Sequence, residues 1–286
     1  MGSALGGSGV MTIKMIHAEL KVKNCSAEMY INGIPLRKRQ APDSLYFTMP
    51  IHEYLVDGVN KVWLVINPGP TPSESLTKKR EMLSRGMGAE AQLVRYPIGV
   101  FTNDPSGETL CKVSWIGDDE NKIFPIILKS EVDLGPMFGK WAWQSAEQLS
   151  LNHETLEAIA KVVELVHHDF GTGDPSRIVR LSKIRYEESA RAYPAAGETP
   201  DYIEKEFVEY LLESAKNHTW TMKPLNLNNA SFRICADGRM VQCIDKDWNP
   251  LIIAQAQDLE EKQEKIDEFP FPIFLSKING EFKIVR

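Results

Sequence analysis

Three consecutive residues, His167, His168 and Asp169, come closest in this sequence to a set that could do acid/base chemistry. A histidine beside a carboxylate can abstract or deliver a proton near neutral pH. The competing interpretation is structural, because cationic side chains in the last turn of a helix complement its macrodipole and bond its free carbonyls. We expect the structural role and keep catalysis as the alternative. A metal site is not expected, because adjacent helical residues point about 100° apart.

A second candidate is Arg185, which together with Ser189 interrupts an otherwise apolar helical stripe. The apolar members of that stripe are Ile178, Leu181 and Ala192. A buried guanidinium in such surroundings must be paired, and either Glu188 or an acidic ligand or partner could pair with it. The neighbouring Tyr186 either lines the same cavity or simply packs. Arg185 and Tyr186 are therefore the candidate ligand-binding residues, and a structural ion pair is the alternative.

A third candidate is Arg233, which the expected hairpin places opposite Gln242, with Trp248 in the following turn. Arginine and tryptophan are enriched among the hot spots of interfaces, so these three residues are candidates for binding another protein. A solvated sheet face would give the same pattern. Two acidic runs, Asp118–Glu120 and Asp258–Glu268, would suit a basic partner or form solvated surface.

The sequence lacks several motifs of catalytic, nucleotide and metal sites, namely GxGxxG, the Walker loop GxxxxGK[ST], GxSxG, HExxH and the EF-hand loop. No metal and no other cofactor is therefore expected. The net charge of −6 argues against a nucleic-acid partner, which requires a concentrated basic surface. Two short basic clusters, Arg37–Arg39 and Lys78–Arg80, are expected to lie in solvated loops. No stretch approaches the ~18 apolar residues that a membrane span requires.

The cysteines indicate the compartment. They carry no CxxC spacing, and they are Cys25, Cys111, Cys235 and Cys243. The last two would lie on opposite faces of a predicted hairpin, so a disulfide between them is not expected. Residues 1–10 are rich in Gly and Ser and are expected to be a flexible leader or an expression remnant. Reduced thiols without a signal peptide indicate a cytoplasmic protein.

The third candidate lies in Thr219–Gln257, which is predicted to be a β-meander. Its turns carry residues that tolerate a positive φ or bond their own backbone, at Asn228-Asn229, Asp237-Gly238 and Asn249-Pro250. Centring the middle turn on Asp237-Gly238 pairs Ile234 with Val241 and Phe232 with Cys243, and these four side chains share one apolar face. We expect helices on that face, and a groove, a partner or water on the face that carries Arg233.

The first half of the chain, residues 11–134, shows short apolar or alternating segments separated by Pro and Gly turns. This pattern predicts an antiparallel β-sandwich of roughly seven or eight strands. An Asn-Gly hairpin followed by PIHEYLVDGVNKVWLVIN, Pro50–Asn67, resembles the corner of jelly-roll and immunoglobulin-like accessory domains. In such corners the Asn fixes the turn, so the resemblance implies structure and no function.

Residues 135–150 are expected to bridge two domains, with Trp141 and Trp143 filling the interface because an indole buries a large apolar area. Three helices are expected after this bridge. Their signals are Asn152 as the first cap with Gly171 as its stop, Asp174-Pro175 for the second helix, and Thr199-Pro200 for the third.

Three helices followed by a curved sheet is the element order of the cone-shaped α+β superfamily typified by nuclear transport factor two. The C-terminal half, roughly Trp141–Arg286, resembles it in that order, and Asp174–Tyr193 looks like the second helix of such domains. The expected fold is two-domain α+β. An antiparallel β-sandwich over 11–134 precedes a cone-like domain over 151–286, with three helices packed on a curved antiparallel sheet. The superfamily includes isomerases, dehydratases, ligand-binding modules and structural interaction domains, so the resemblance selects no function.

We therefore expect a non-enzymatic cytoplasmic protein that presents an acidic, aromatic-containing surface to another, basic protein. This combination looks like bacterial toxin-neutralising (immunity-type) or scaffold proteins. The alternative is a small-molecule-binding protein or acid/base enzyme that uses a pocket in the cone, with Arg185 anchoring an acidic group. A third hypothesis is a homodimer formed through the open sheet face.

Overall fold

The computed structural model of the chain describes residues 14–39, 45–67, 79–81, 86–117, 122–216, 220–257 and 266–286. These residues form a mixed α+β structure with three α-helices and several antiparallel sheets. The expected leader at 1–10 and the acidic run at 118–120 lie outside the described residues, as does most of the acidic run at 258–268.

Ten described strands precede residue 134. Their bounds are β1 (Lys14–Lys23), β2 (Ala27–Ile31), β3 (Ile34–Arg39), β4 (Leu45–Pro50), β5 (Val59–Ile66), β6 (Lys79–Glu81), β7 (Gly88–Pro97), β8 (Glu108–Ile116), β9 (Lys122–Phe124) and β10 (Ile126–Asp133). Two sheets have four strands each, in the orders β4-β1-β7-β8 and β10-β5-β2-β3, and β6 pairs with β9. Alternate side chains of both larger sheets point into one core, where Leu20, Met29 and Leu64 are fully buried.

The predicted corner between β4 and β5 is held by a buried asparagine. Asn60 Oδ1 accepts a hydrogen bond from the Val56 N–H at 2.8 Å, and its amide donates to the Val56 carbonyl at 2.8 Å. A second asparagine, Asn32, lies in the left-handed region with Gly33 after it, as a two-residue hairpin turn requires. The amide of Asn32 donates to Asn60 Oδ1 at 2.8 Å, so the two turns are connected.

The basic clusters were expected in solvated loops, but their described residues lie in strands, although Arg37 is exposed as expected. Arg37–Arg39 belongs to β3, and Lys79–Glu81 is the strand β6. The side chain of Lys38 is only 5% exposed, and its Nζ lies 3.8 Å from Oε1 of Glu28. Glu28 is fully buried on the adjacent β2, so it requires a cationic partner from the neighbouring strand.

The three helices are α1 (His153–Thr172), α2 (Ser176–Ala192) and α3 (Pro200–Lys216). Asn152 caps α1 as predicted, since its Oδ1 accepts a hydrogen bond from the Thr155 N–H at 2.8 Å. The predicted stop at Gly171 is two residues early. The left-handed residue that ends α1 is Gly173, with φ of 69°.

The two X-Pro signals open the other helices, with α3 beginning at Pro200 as predicted and α2 beginning one residue after the predicted Pro175. Asp174 Oδ1 accepts a hydrogen bond from the Ser176 N–H at 3.0 Å at the start of α2. Thr199 Oγ1 accepts one from the Tyr202 N–H at 3.2 Å at the start of α3. These bonds satisfy N–H groups that have no partner within the helix.

The remaining described strands are β11 (Trp220–Met222), β12 (Ala230–Cys235), β13 (Met240–Asp245), β14 (Ile252–Gln257), β15 (Ile266–Phe271), β16 (Ile273–Ile278) and β17 (Glu281–Ile284). The predicted hairpin register is confirmed, because Ile234 pairs with Val241 and Phe232 with Cys243. The predicted single meander is wrong. β12 and β13 join β16 and β17, whereas β14 lies between β11 and β15 in another sheet. Pro250 makes an isolated bridge to Ile244, and without an N–H it cannot continue a ladder there.

Two further cores complete the fold. The first face of the β12–β13 hairpin packs on the helices as predicted, with Val241 and Cys243 beside Val163 and Leu211. The second core contains Trp141 and Trp143, which are 0% and 6% exposed. It also contains Ile34 of β3 and Met240 of β13, so both indoles lie between the N-terminal and C-terminal sheets.

Candidate functional site

The site we consider first is a cavity of about 390 Å³ among the three helices and the strands β15, β16 and β17. Its volume falls in the ~300–1,000 Å³ range of small-molecule sites. The apolar wall is built from three helices and a strand segment. Its members are Val166 and Phe170 of α1, Ile178 of α2, Ile203, Phe207 and Tyr210 of α3, Pro270–Ile273, and Ile284.

Most of the polar side chains in the described lining come from one helix, α2, which contributes Ser182, Arg185, Tyr186 and Ser189, while α3 adds the phenol of Tyr210. The spacing of three, four and seven residues places the four side chains of α2 on one helical face. Ser182 and Tyr186 are 3% and 6% exposed, whereas Arg185 is exposed at the rim of the cavity. The polar face of α2 therefore runs from the cavity interior to solvent.

Aromatic contacts fix the opposite wall. The ring centroids of Phe170 and Phe271 lie 4.1 Å apart, and Phe207 contacts Phe170 edge-on at 6.1 Å. Phe207 also lies 6.2 Å from the ring of Tyr186. These contacts connect α1, α2, α3 and β15 around the cavity, so its shape depends on packed rings.

Tyr186 is a hydrogen-bond donor in this setting. Burial raises the pKa of its phenol, while a hydrogen bond with Ser182 and the charge of Arg185 act in the opposite direction. The neutral phenol therefore persists across the physiological pH range. Together with the hydroxyls of Ser182 and Ser189, it offers hydrogen bonds to a polar group inside an otherwise apolar cavity.

Arg185 and Tyr186 thus line the same cavity, as the sequence suggested for a pocket. The expectation of a buried Arg185 is wrong, and the Glu188 pair is not found. Oε2 of Glu188 lies 2.6 Å from Arg286 Nη1, and its Oε1 accepts from the Ala142 N–H at 2.5 Å. The sequence could not reveal this competition, because Arg286 is 98 residues away from Glu188.

The His167, His168 and Asp169 set does not line the cavity. His167 Nε2 lies 2.8 Å from the Lys223 carbonyl, and His168 is exposed. Asp169 is 2% exposed and forms an ion pair with Arg177 at 2.8 Å. Burial raises the pKa of Asp169, and the Arg177 charge opposes that shift. The structure gives these three residues protein partners or solvent and does not bring them together with Arg185.

The protein-binding candidate Arg233 is 5% exposed, so the expectation of a face open to a partner or water is wrong. Its guanidinium donates to the Tyr30 hydroxyl, lies 3.9 Å from Glu28 Oε2 and stacks 4.7 Å from the Trp248 ring. Gln242 and Trp248 are half-buried. Arg233 therefore lies against Tyr30 and Glu28 of the strand β2, where its charge partners a buried carboxylate.

A second cavity, of about 320 Å³, lies between the Asn32-Gly33 turn and the turn at 236–239. Much of its polar lining is already engaged within the fold. The amide of Asn32 donates to the Tyr54 carbonyl at 2.9 Å, and Arg239 donates to the Ala146 carbonyl. Trp143 lines this cavity too, but its indole is 6% exposed. The first cavity is therefore the stronger candidate for a ligand site.

Within the described ranges, no group of three or more His, Cys, Asp or Glu residues is placed to hold a metal ion. None of the described helices combines the length and the apolar character needed to cross a membrane. All four cysteines are free thiols and buried.

Comparison of the chain with protein-family models, curated proteins and solved structures finds no match. The resemblance to the nuclear transport factor two superfamily therefore stays a prediction. Any function must be inferred from the geometry of the site.

Sequence reasoning missed Ser182 and most of the apolar wall. The signal for Ser182 was present, since it lies three residues before Arg185 and four before Tyr186 on the same helix. No comparable signal marked Phe271, because a strand residue reaches the cavity only through the tertiary arrangement.

Proposed function

We propose that this protein is a non-enzymatic binding protein for a small molecule with an apolar body, held in the cavity among α1, α2 and α3. The observation that carries the proposal is the lining itself. Apolar and aromatic side chains line a cavity of about 390 Å³, and most of the polar side chains in this lining lie on a single helix face. This combination is typical of small-molecule sites.

Binding is favoured over catalysis by the chemistry of the lining. Among the described lining residues there is no histidine and no carboxylate that could act as a general base. The hydroxyls of Ser182 and Tyr186 can orient a ligand, but a hydroxyl nucleophile requires an adjacent base for activation. The geometry therefore supplies a place to hold a molecule and no pair that would transform it.

The finer organisation belongs to the same proposal. We place a β-sandwich domain over 11–134 and a cone-like domain over 151–286, with the cavity in the cone. The shared core of the two four-stranded sheets and the helices around the cavity support this division. A cytoplasmic location stays a prediction.

The immunity-type or scaffold function, with a basic protein partner, also stays a prediction. The burial of Arg233 weakens it, because a side chain that is 5% exposed presents little surface to another protein. A homodimer through the same face would require β2 to move away from it.

The test is a titration with 1-aminonaphthalene, a small neutral apolar dye whose fluorescence changes when it leaves water. We expect saturable binding of one dye per chain, and loss of binding in Ile203→Trp. Ile203 is half-buried and lines the cavity, so a larger ring would fill the space. The matched control is Val179→Trp, which enlarges a half-buried residue outside the lining. Equal dye binding in Ile203→Trp, Val179→Trp and the parent protein would exclude the cavity as the ligand site.

A further inference from the structure

We infer that the ligand of this cavity is a medium-length linear monocarboxylate, with its carboxylate held by Arg185 at the rim and its chain inside the apolar wall. The inference rests on the proposed function and adds the chemical class of the ligand. It is carried by charge, by the position of the hydroxyls and by the size of the cavity.

The four arginines of α2 differ in their partners. Three of them have a carboxylate partner. The pairs are Arg177 with Asp169 at 2.8 Å, Arg180 with Glu281, and Arg191 with Glu188 at 3.8 Å. Arg185 is the fourth, and the described part of the chain places no carboxylate within ion-pair distance of it. It is also the arginine of this helix that lines the cavity. Its positive charge therefore remains available to a ligand.

The hydroxyls extend this site into the cavity. Ser182 lies one turn before Arg185 on the helix face, and Ser189 lies one turn after it. A carboxylate only accepts hydrogen bonds, and it can combine a guanidinium with hydroxyl donors. A carboxylate bound to Arg185 would thus lie on the helix face that also carries these hydroxyl groups.

The surroundings favour a single negative charge. Arg185 is the cation among the described lining residues, and the negative charge of Glu204 on α3 is close enough to raise the pKa of Tyr186. A dianion such as a phosphate monoester would be repelled by Glu204 more strongly than a monoanion, and it would find one cation among the described lining residues. A monocarboxylate matches this balance.

The size of the cavity sets the length of the chain. At roughly 30 Å³ for each non-hydrogen atom, the share of a water molecule in the liquid, 390 Å³ holds about a dozen such atoms. The apolar wall of Phe170, Phe207 and Phe271 lies across from the polar face of α2. Decanoate has this size, with a carboxylate at one end and an apolar chain at the other. Its uncharged counterpart is decan-1-ol.

The experiment is competition of decanoate and decan-1-ol against 1-aminonaphthalene, which is small enough for this volume. We expect decanoate to displace the dye at concentrations at least about tenfold lower than decan-1-ol, since a hydrogen bond to a charged group contributes about that factor or more. Arg185→Gln should bring decanoate to the level of the alcohol, and Arg185→Lys should keep part of the difference. The control is Lys183→Gln, which removes an exposed cation of the same helix that does not line the cavity.

The outcomes separate this inference from the proposed function. If decanoate and decan-1-ol displace the dye equally well, and Arg185→Gln changes neither displacement, the inferred carboxylate ligand is wrong. The proposed binding function would not be affected by that result. If the dye binds saturably and neither competitor displaces it, the inference of a ligand with a linear chain is wrong. If the dye itself does not bind, the proposed function fails and the inference fails with it.

Discussion

The regions around Arg185 and Arg233 both place an arginine in an apolar pattern, and the fold uses the two in opposite ways. Arg233 is buried, donates to Tyr30 and lies 3.9 Å from the buried Glu28. Arg185 is exposed at the rim of a cavity, and the described residues offer it no carboxylate. One guanidinium joins two parts of the chain, and the other remains available to a molecule from outside.

This difference shows that an arginine in an apolar stripe marks a ligand site only when the fold leaves its charge unpaired. The sequence pattern is the same in both cases. Pairing depends on groups that are distant in the sequence, and Tyr30 and Arg233 are 203 residues apart. Substitution of Arg233 should therefore affect stability more than ligand binding. Substitution of Arg185 should affect ligand binding more than stability.

The largest effect is expected from removal of the buried charge. Arg233→Met should lower the free energy of unfolding by about 3–5 kcal/mol, because Glu28 would lose a buried cationic partner. Arg185→Met should change it by less than about 0.5 kcal/mol, as is usual for exposed positions. Urea unfolding of both variants measures the two values. Similar losses would contradict the assignment of Arg233 to the fold and Arg185 to a ligand.

A smaller effect on the free energy of unfolding is expected from protonation of His52. This neutral side chain also connects distant parts of the chain. Its Nε2 accepts from the Ile16 N–H at 2.9 Å, so its Nδ1 carries the proton that is donated to the Ala192 carbonyl at 2.8 Å. Burial lowers the pKa of His52, with Glu53 and the bond to Ala192 opposing the shift. Burial also lowers the pKa of His17. Both histidines therefore take up a proton more readily in the unfolded chain.

This difference in proton uptake sets the direction in which stability changes with pH. The unfolded histidines protonate below about pH 6.5, so stability should be lost as the pH falls from there through the lowered pKa values of the folded state. Urea unfolding between pH 7.5 and pH 5 measures the slope. In His17→Gln/His52→Gln this part of the slope should disappear. A slope equal to that of the parent protein would show that other groups cause the acid sensitivity.

Local chemistry allowed much of the framework to be predicted. Asn152, Asp174 and Thr199 cap helices through bonds within three residues, and the β12–β13 register follows from the turn between the strands. The alignment of Arg185 with Tyr186 required only helical periodicity. The failures involve distant partners. No local signal in the sequence shows that Glu188 pairs with Arg286 and not with Arg185. None shows that Arg233 is buried against Tyr30 and Glu28.

The smallest effect on the free energy of unfolding is expected when an exposed arginine with an exposed partner is replaced. Arg180 contacts Glu281, and both side chains are about half-exposed. Arg180→Ala should lower the free energy of unfolding by less than about 1 kcal/mol and should leave dye binding unchanged. Thermal unfolding and dye titration of this variant would show whether α2 tolerates loss of an arginine away from the cavity. Weaker displacement of the dye by decanoate in Arg180→Ala, as expected for Arg185→Gln, would mean that the effect of Arg185 on the carboxylate is not specific to its position.

The most direct test of the central claim is hydrogen exchange measured by mass spectrometry, with and without saturating 1-aminonaphthalene. A ligand among the helices should slow amide exchange in peptides from α2, α3 and Pro270–Ile273 and leave the Asn32-Gly33 turn and the turn at 236–239 unchanged. Slower exchange at those turns, with none in α2 or α3, would place the ligand in the second cavity and contradict the account.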